Sequence, residues 1–174
     1  MKPSEYLIKY GSDKATHRNY GNHHYGEFYD DLFSQFPEPF NLLEIGVLHG
    51  QSLRAWREAF PKSRITGIDI MDLKEPIEGV IFIQGDVKKI TLTEDYDVII
   101  DDSSHDLRES LYEVIHFTKN LTDQGVLIIE DVQIPDDYVA AYRKVLPEGF
   151  KLETFDFRSI AGRHDDYIVK ISRV

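Results

Sequence analysis

The chain has no cysteine. That excludes disulfides and any thiolate metal site, and it agrees with a reducing cytoplasm. Long apolar runs are also missing. Nothing approaches the length of a membrane span, and the N-terminal MKPSEYLIKYGSDK lacks the apolar stretch of a secretory signal. We therefore expect a soluble, cytoplasmic protein. Positive charge is scarce: 20 Lys and Arg stand against 31 Asp and Glu, for a net charge of −11. A nucleic-acid backbone or an anionic membrane requires clustered cations, so neither is expected as a partner. No internal repeat or low-complexity segment is present. What remains is 174 residues, 41% hydrophobic and 12% aromatic. This is too apolar for disorder and long enough to bury the core of one domain.

Residues 3–10 read as a short helix with Ser4 as its cap. The stretch from Tyr10 to Tyr25 is rich in Gly, Asn, His and Tyr, has no period, and reads as a functional or mobile loop. Phe28, Tyr29, Leu32, Phe33 and Phe36 share a helical face that Pro37 and Pro39 should end. From there the pattern alternates. Strands are expected at 41–47, 64–70, 80–87, 96–102 and 126–132, the last opened by Gly125. Helices are expected at 51–60, with Leu53, Trp56 and Phe60 inward, and at 106–120, with Leu107, Leu111, Val114, Ile115 and Thr118 inward. A further helix is expected near 135–146. The segment 71–79 is too short and polar for a crossover helix. Two strands close the chain, 151–158 and 166–172, with only a turn between them. The sum is an α/β fold, a Rossmann-like doubly wound sheet of about seven mostly parallel strands with the last antiparallel. Residues 1–40 form an N-terminal helical and loop extension, and 41–174 form the sheet core of a single domain.

The stretch Asn41 to Leu53, NLLEIGVLHGQSL, organises the rest. An apolar strand carrying one acid, Glu44, leads into Gly46 and Gly50 and then into a helix opening at Ser52. Strand, glycine turn and helix N-terminus together make a ligand cradle, because glycine admits close backbone approach and free N–H groups favour polar or anionic groups. The spacing is not the Gly-x-Gly-x-x-Gly of dinucleotide folds. Later strands end in acids: Asp69, Asp86, Asp101-Asp102 and Glu130-Asp131. In such sheets ligands bind beyond the carboxyl ends of the strands. Two groups emerge. The first is Glu44, Gly46, Gly50, Asp69 and Asp86. Asp69, 23 residues past Gly46, suits a ribose hydroxyl pair; Asp86 could meet an adenine amino group and Glu44 an ammonium. The second is Asp102, Glu130 and Asp131, three hard carboxylates suited to Mg²⁺ or another hard divalent ion. His105 lies beside them as a candidate base. His17, His23 and His24 could contact acceptor or cofactor or serve as lid or loop scaffolding, and Arg163 and His164 could reach the acceptor pocket or lie in a solvated turn.

These residues resemble class I S-adenosylmethionine-dependent methyltransferases, with EIGVLHGQSL as first motif and GIDI as second. Within that family they are similar to metal-dependent O-methyltransferases acting on sugars of macrolides and related natural products. The shared pieces are Tyr10 to Lys14, then His23, Tyr25 and Tyr29, then Glu44 to Leu53, Asp101 to His105, and Ile129 to Asp131. The resemblance implies S-adenosylmethionine held by the first group and Mg²⁺ by Asp102, Glu130 and Asp131. It also implies His105 as general base, a saccharide-containing small-molecule acceptor methylated at a hydroxyl of a vicinal diol, and an N-terminal loop folding over the cofactor. Leu48 stands where the wider family often has glycine, and His49 where a small residue is frequent. The relatives' extra domain is not expected here; assembly into a homo-oligomer stays open. Two other readings stand beside this one: a dinucleotide-dependent oxidoreductase on the same fold, and a non-catalytic cofactor-binding or assembly subunit.

Overall fold

The computed structural model describes residues 1–15 and 23–174. Expectations attached to the middle of the Tyr10–Tyr25 loop, including those for His17, fall outside the described residues. The alternating apolar runs become β1 (Asn41–Ile45), β2 (Arg64–Asp69), β3 (Val80–Gln84), β4 (Tyr96–Asp101), β5 (Leu121–Ile129), β6 (Phe150–Asp156) and β7 (Tyr167–Arg173). They form one sheet in the order β3-β2-β1-β4-β5-β7-β6. The first five pair in parallel, and β7 inserts between β5 and β6, antiparallel to both. The strand order reverses between β1 and β4, which makes the crevice above them the expected ligand position. Backbone bonds continue past the strand ends there. Gly46 N–H donates to Ile68 O at 2.9 Å, Asp102 N–H to Ile45 O at 2.8 Å, and Glu130 N–H to Asp101 O at 3.0 Å.

Strand parity sorts the core into two layers. Leu42, Val98, Ile100, Val126, Ile128 and Ile168 face α1 (Pro3–Tyr10), α2 (Gly26–Phe33) and α3 (Gln51–Ala59), packing on Tyr29, Phe33, Leu53 and Trp56. Leu43, Ile45, Ile99, Leu127, Ile129, Val169 and Ile171 face α4 (Leu107–Phe117) and α5 (Pro135–Val145), packing on Val114, Phe117 and Tyr142. Trp56 is wholly buried, and truncating such a side chain to Ala costs about 3–5 kcal/mol. A one-turn helix α6 (Arg158–Ala161) sits in the β6–β7 connection.

Four local expectations are corrected. Ser4 does not cap α1, which begins at Pro3 with the Glu5 carboxylate accepting from Lys2 N–H at 2.8 Å; Ser4 instead donates its N–H and hydroxyl to Asp30 at 2.9 and 2.7 Å, tying α1 to α2. The second helix stops at Phe33, before either proline, and Phe36 follows in a turn. Ile115 is 48% exposed, because the buried stripe of α4 runs through Ser110, Glu113, Val114 and Phe117. Strand β5 starts at Leu121, ahead of Gly125, through an irregular pairing with β4.

Candidate active site

The exits of β1, β2, β4 and β5 wall a cavity of about 740 Å³, a size suited to a cofactor-scale ligand. Gly46 makes the closest approach. Its φ is +83°, and a Cβ there would stand 2.0 Å from the Asp102 carbonyl oxygen, so any side chain would push the β1 and β4 exits apart. Gly50, at φ +75°, precedes the first turn of α3. Between them Leu48 adopts φ +50°, a left-handed backbone that glycine accepts without strain and leucine does not. Asp69 clamps this loop. Its Oδ2 accepts from the N–H groups of Val47 and Leu48 at 2.7 and 2.8 Å, and its Oδ1 from Met71 N–H at 2.8 Å. Asp86 accepts from Lys88 N–H at 3.0 Å, capping a one-turn 3₁₀ helix at Val87–Lys89.

Parity governs the acids as it governs the core. Glu44 shares a sheet face with Leu42 and is fully buried toward α3. Its Oε2 accepts from Trp56 Nε1–H at 2.9 Å, while its Oε1 has no hydrogen bond among the described residues and lies 3.6 Å from Lys14 Nζ. Burial pushes the Glu44 carboxyl up to about 7, against the pull of Lys14. Glu130 turns the same way as Ile128. Its Oε2 accepts from Lys14 Nζ at 2.6 Å and its Oε1 from the Tyr29 hydroxyl. Asp102 Oδ2 is the second acceptor of the Lys14 ammonium. Burial opposes charge on Lys14, but Asp102, Glu130 and Glu44 outweigh it and hold the ammonium well above the usual lysine range. Asp101 points to the opposite layer, where its Oδ1 accepts from the Ser103 hydroxyl at 2.7 Å.

Asp131 departs from parity through a left-handed backbone, φ +53°. Its Oδ1 accepts from the Tyr25 hydroxyl at 2.7 Å and lies 3.1 Å from His23 Nδ1, whose ring is also 2.9 Å from Asp166 Oδ1. Burial raises the Asp131 carboxyl, partly offset by His23. His105, also left-handed at φ +55°, has its carbonyl oxygen held by the Tyr138 hydroxyl at 3.0 Å. Its Nε2 stands 3.9 Å from Asp102 Oδ1 and 3.8 Å from Asp131 Oδ2. Asp102, His105 and Asp131 each offer a ligand atom, and these atoms lie within 4.8 Å of one another. Two carboxylate oxygens and an imidazole, aimed at one point on the cavity wall, fit a divalent ion.

Of the sequence-predicted residues, Gly46, Ser52, Asp69, Asp86, Asp102, His105 and Asp131 line the cavity, as do His23 and Arg163. Glu44, Gly50 and Glu130 are not part of its lining. The predicted trio Asp102, Glu130 and Asp131 is not one converged set in this structure, since both Glu130 oxygens are engaged by Lys14 and Tyr29. Arg163 pairs with Asp165, and exposed His164 meets Gln133 at 3.0 Å. Sequence reasoning placed Tyr29 on a helical face and Lys14, Tyr25 and Tyr29 among the shared motif pieces, but assigned none of them to the acid cluster. The signal was there: an apolar sheet with acids at even positions of two central strands needs a buried cation and donors on that face.

No family model matches the chain. It is 29% identical over 142 residues to the 8-demethyl-8-α-L-rhamnosyl tetracenomycin-C 2′-O-methyltransferase of Streptomyces olivaceus, covering 72% of this chain and 36% of that protein. It is 28% identical over 144 residues to the mycinamicin VI 2″-O-methyltransferase of Micromonospora griseorubida, covering 74% and 35%. The chain thus spans about a third of the length of these curated relatives. Among solved structures it is similar to the mycinamycin-pathway methyltransferase MycE in complex with Mg and SAH. The TM-score is 0.74 at 20% identity, over 99% of this chain and 55% of that one. A MycE complex that also holds mycinamycin VI gives 0.72. Strand order, glycine loop and relatives agree: the chain has the fold of class I S-adenosylmethionine-dependent methyltransferases and is similar in sequence to the sugar O-methyltransferases among them.

Proposed function

We propose that the chain acts as an S-adenosylmethionine-dependent, divalent-metal-dependent O-methyltransferase on a hydroxyl of a sugar or related natural product. The observation that carries this reading is a shared cavity. The glycine loop with Asp69 and Asp86 forms one wall, and Asp102, His105 and Asp131 form the other. A donor bound against the first wall would present its methyl toward the second. The Gly46 loop and the Asp69 carboxylate would hold the donor, with Asp86 one strand further out. Asp102 and Asp131 would hold the ion and orient an acceptor, of which a vicinal diol fits best because two adjacent oxygens can share one cation. The donor supplies an electrophilic methyl on a sulfonium and the ion supplies Lewis acidity that lowers the hydroxyl pKa.

In this reading His105 Nε2 takes the hydroxyl proton, and Asp102 and Asp131 stabilise the imidazolium that results. Holding acceptor and donor against facing walls of one cavity would supply much of the rate through positioning. Replacing His105 by Ala should reduce turnover roughly 10²–10⁴-fold while the affinity for S-adenosylhomocysteine stays within a few-fold. Wild-type turnover in that variant would sink the base assignment. His105 Nε2 is also placed to complete a ligand set with Asp102 and Asp131, which is the second reading. A large loss of Mn²⁺ affinity in the same variant would favour it. Thermal stabilisation by S-adenosylhomocysteine but not by NAD separates both from a dinucleotide oxidoreductase, whose glycine spacing is absent.

A further inference from the structure

Lys14 is among the largest fully buried side chains of the protein, 1% exposed, and its ammonium sits among three carboxylates. Asp102 Oδ2 and Glu130 Oε2 accept from it, and Glu44 Oε1 lies 3.6 Å away. The backbone around it is fixed. Lys14 O accepts from Tyr25 N–H at 3.0 Å, Asp13 O accepts from His23 N–H at 2.8 Å, and Ala15 N–H donates to Ser12 O at 3.1 Å. Gly11, Ser12 and Asp13 of the same segment line the cavity. A divalent ion held by both Asp102 Oδ2 and Glu130 Oε2 at coordination distances of about 2.0–2.6 Å would occupy the place the ammonium now fills. The two cations would also repel each other at a separation where the low local dielectric makes repulsion strong.

We propose that Lys14 decides which carboxylates can serve a divalent ion. Its ammonium and an ion bound by both Asp102 and Glu130 exclude each other, so engaging Glu130 expels Lys14 from the acid cluster. Without an ion, Lys14 neutralises the cluster and withholds Glu130, leaving only the outer oxygens of Asp102 and Asp131 beside His105. With an ion drawing on all three acids, the ammonium must leave, and the cavity wall it anchors is released with it. This inference rests on the metal reading above.

Two readouts independent of turnover test it. In the wild-type protein, the reaction of Lys14 with acetic anhydride is followed by mass spectrometry with and without saturating Mg²⁺, using exposed Lys62 as the internal reference. Lys14 should be protected without the ion and modified at least tenfold faster with it, while Lys62 is unchanged. In parallel, Mn²⁺ is titrated by electron paramagnetic resonance into wild type and Lys14→Met. The variant should bind at least tenfold more tightly, because an internal competitor is gone. Mn²⁺ binding to wild type with Lys14 still protected, and with no gain in the variant, would overturn the exclusion and leave the metal site standing. No binding to either protein would overturn the metal reading itself. Should Lys14→Met fail to fold, the wild-type labelling decides alone.

Discussion

The wall formed by the exits of β1 and β2 and the wall formed by the exits of β4 and β5 both place carboxylates beside the cavity, but their partners differ in kind. Asp69 is answered by three backbone N–H groups, none more than 22 residues away in sequence. Asp102, Glu130 and Asp131 are answered by side chains of Lys14, Tyr29 and Tyr25, at separations of 88 to 116 residues. The first wall is completed by the strand–loop–helix unit that builds it. The second is complete only when residues 12–15 and 23–29 dock on the sheet. Local backbone partners make a preformed binding surface, whereas distant side-chain partners make a charge cluster whose state can change with what enters it.

Several substitutions would break or sharpen that contrast. The largest effect is expected at Glu44, where the second wall reaches into the first strand. Its folded-state pKa, near 7, lies above its unfolded value. The folded protein therefore holds this extra proton between about pH 4.5 and 7, so the contribution of Glu44 to stability is greatest at the acid end and is lost as pH rises through 7. The raised carboxyl accounts for about 3 kcal/mol of that decline. Glu44→Gln should lose this part of the slope in denaturant titrations run across the window. Equal slopes for variant and wild type would show that the carboxyl is not strained by its burial.

Asp69→Ala tests the local wall. Removing the acceptor from three N–H groups, partly open to solvent, should cost about 2 kcal/mol and weaken S-adenosylhomocysteine binding, while Mn²⁺ affinity at the other wall is retained. Parallel loss of both ligands would mean that the walls are not separable. The smallest effect is expected at Leu48. Glycine relieves the left-handed strain, so Leu48→Gly should raise stability by about 1 kcal/mol, read as a rise in melting temperature. A fall would show that the half-exposed leucine side chain contributes more than its backbone costs.

Much of the first wall was legible in sequence because it is encoded contiguously. Apolar runs of strand length, the Gly46 and Gly50 turn and an acid at the end of the next strand each have a local physical meaning, and each appears where expected. Edges were less legible. Ile115 read as inward because periodicity alone cannot show that Glu113 takes the buried side of α4. Ser4 read as a cap because nothing local reveals that Asp30 recruits it. The second wall was legible as composition but not as geometry. The acids at the β4 and β5 exits were evident, but their directions follow from strand parity and from the left-handed turn at Asp131, and the latter breaks the pattern.

By itself, the sequence determined the alternation of strands and helices, the glycine loop and the gathering of acids at one rim, because these depend on neighbours within a few residues. Only the tertiary structure decided that Lys14, Tyr25 and Tyr29 would enter the acid cluster and engage Glu130. A buried carboxylate takes whichever cation or donor the packed fold brings within about 3 Å, and that choice is made across the sheet rather than along the chain.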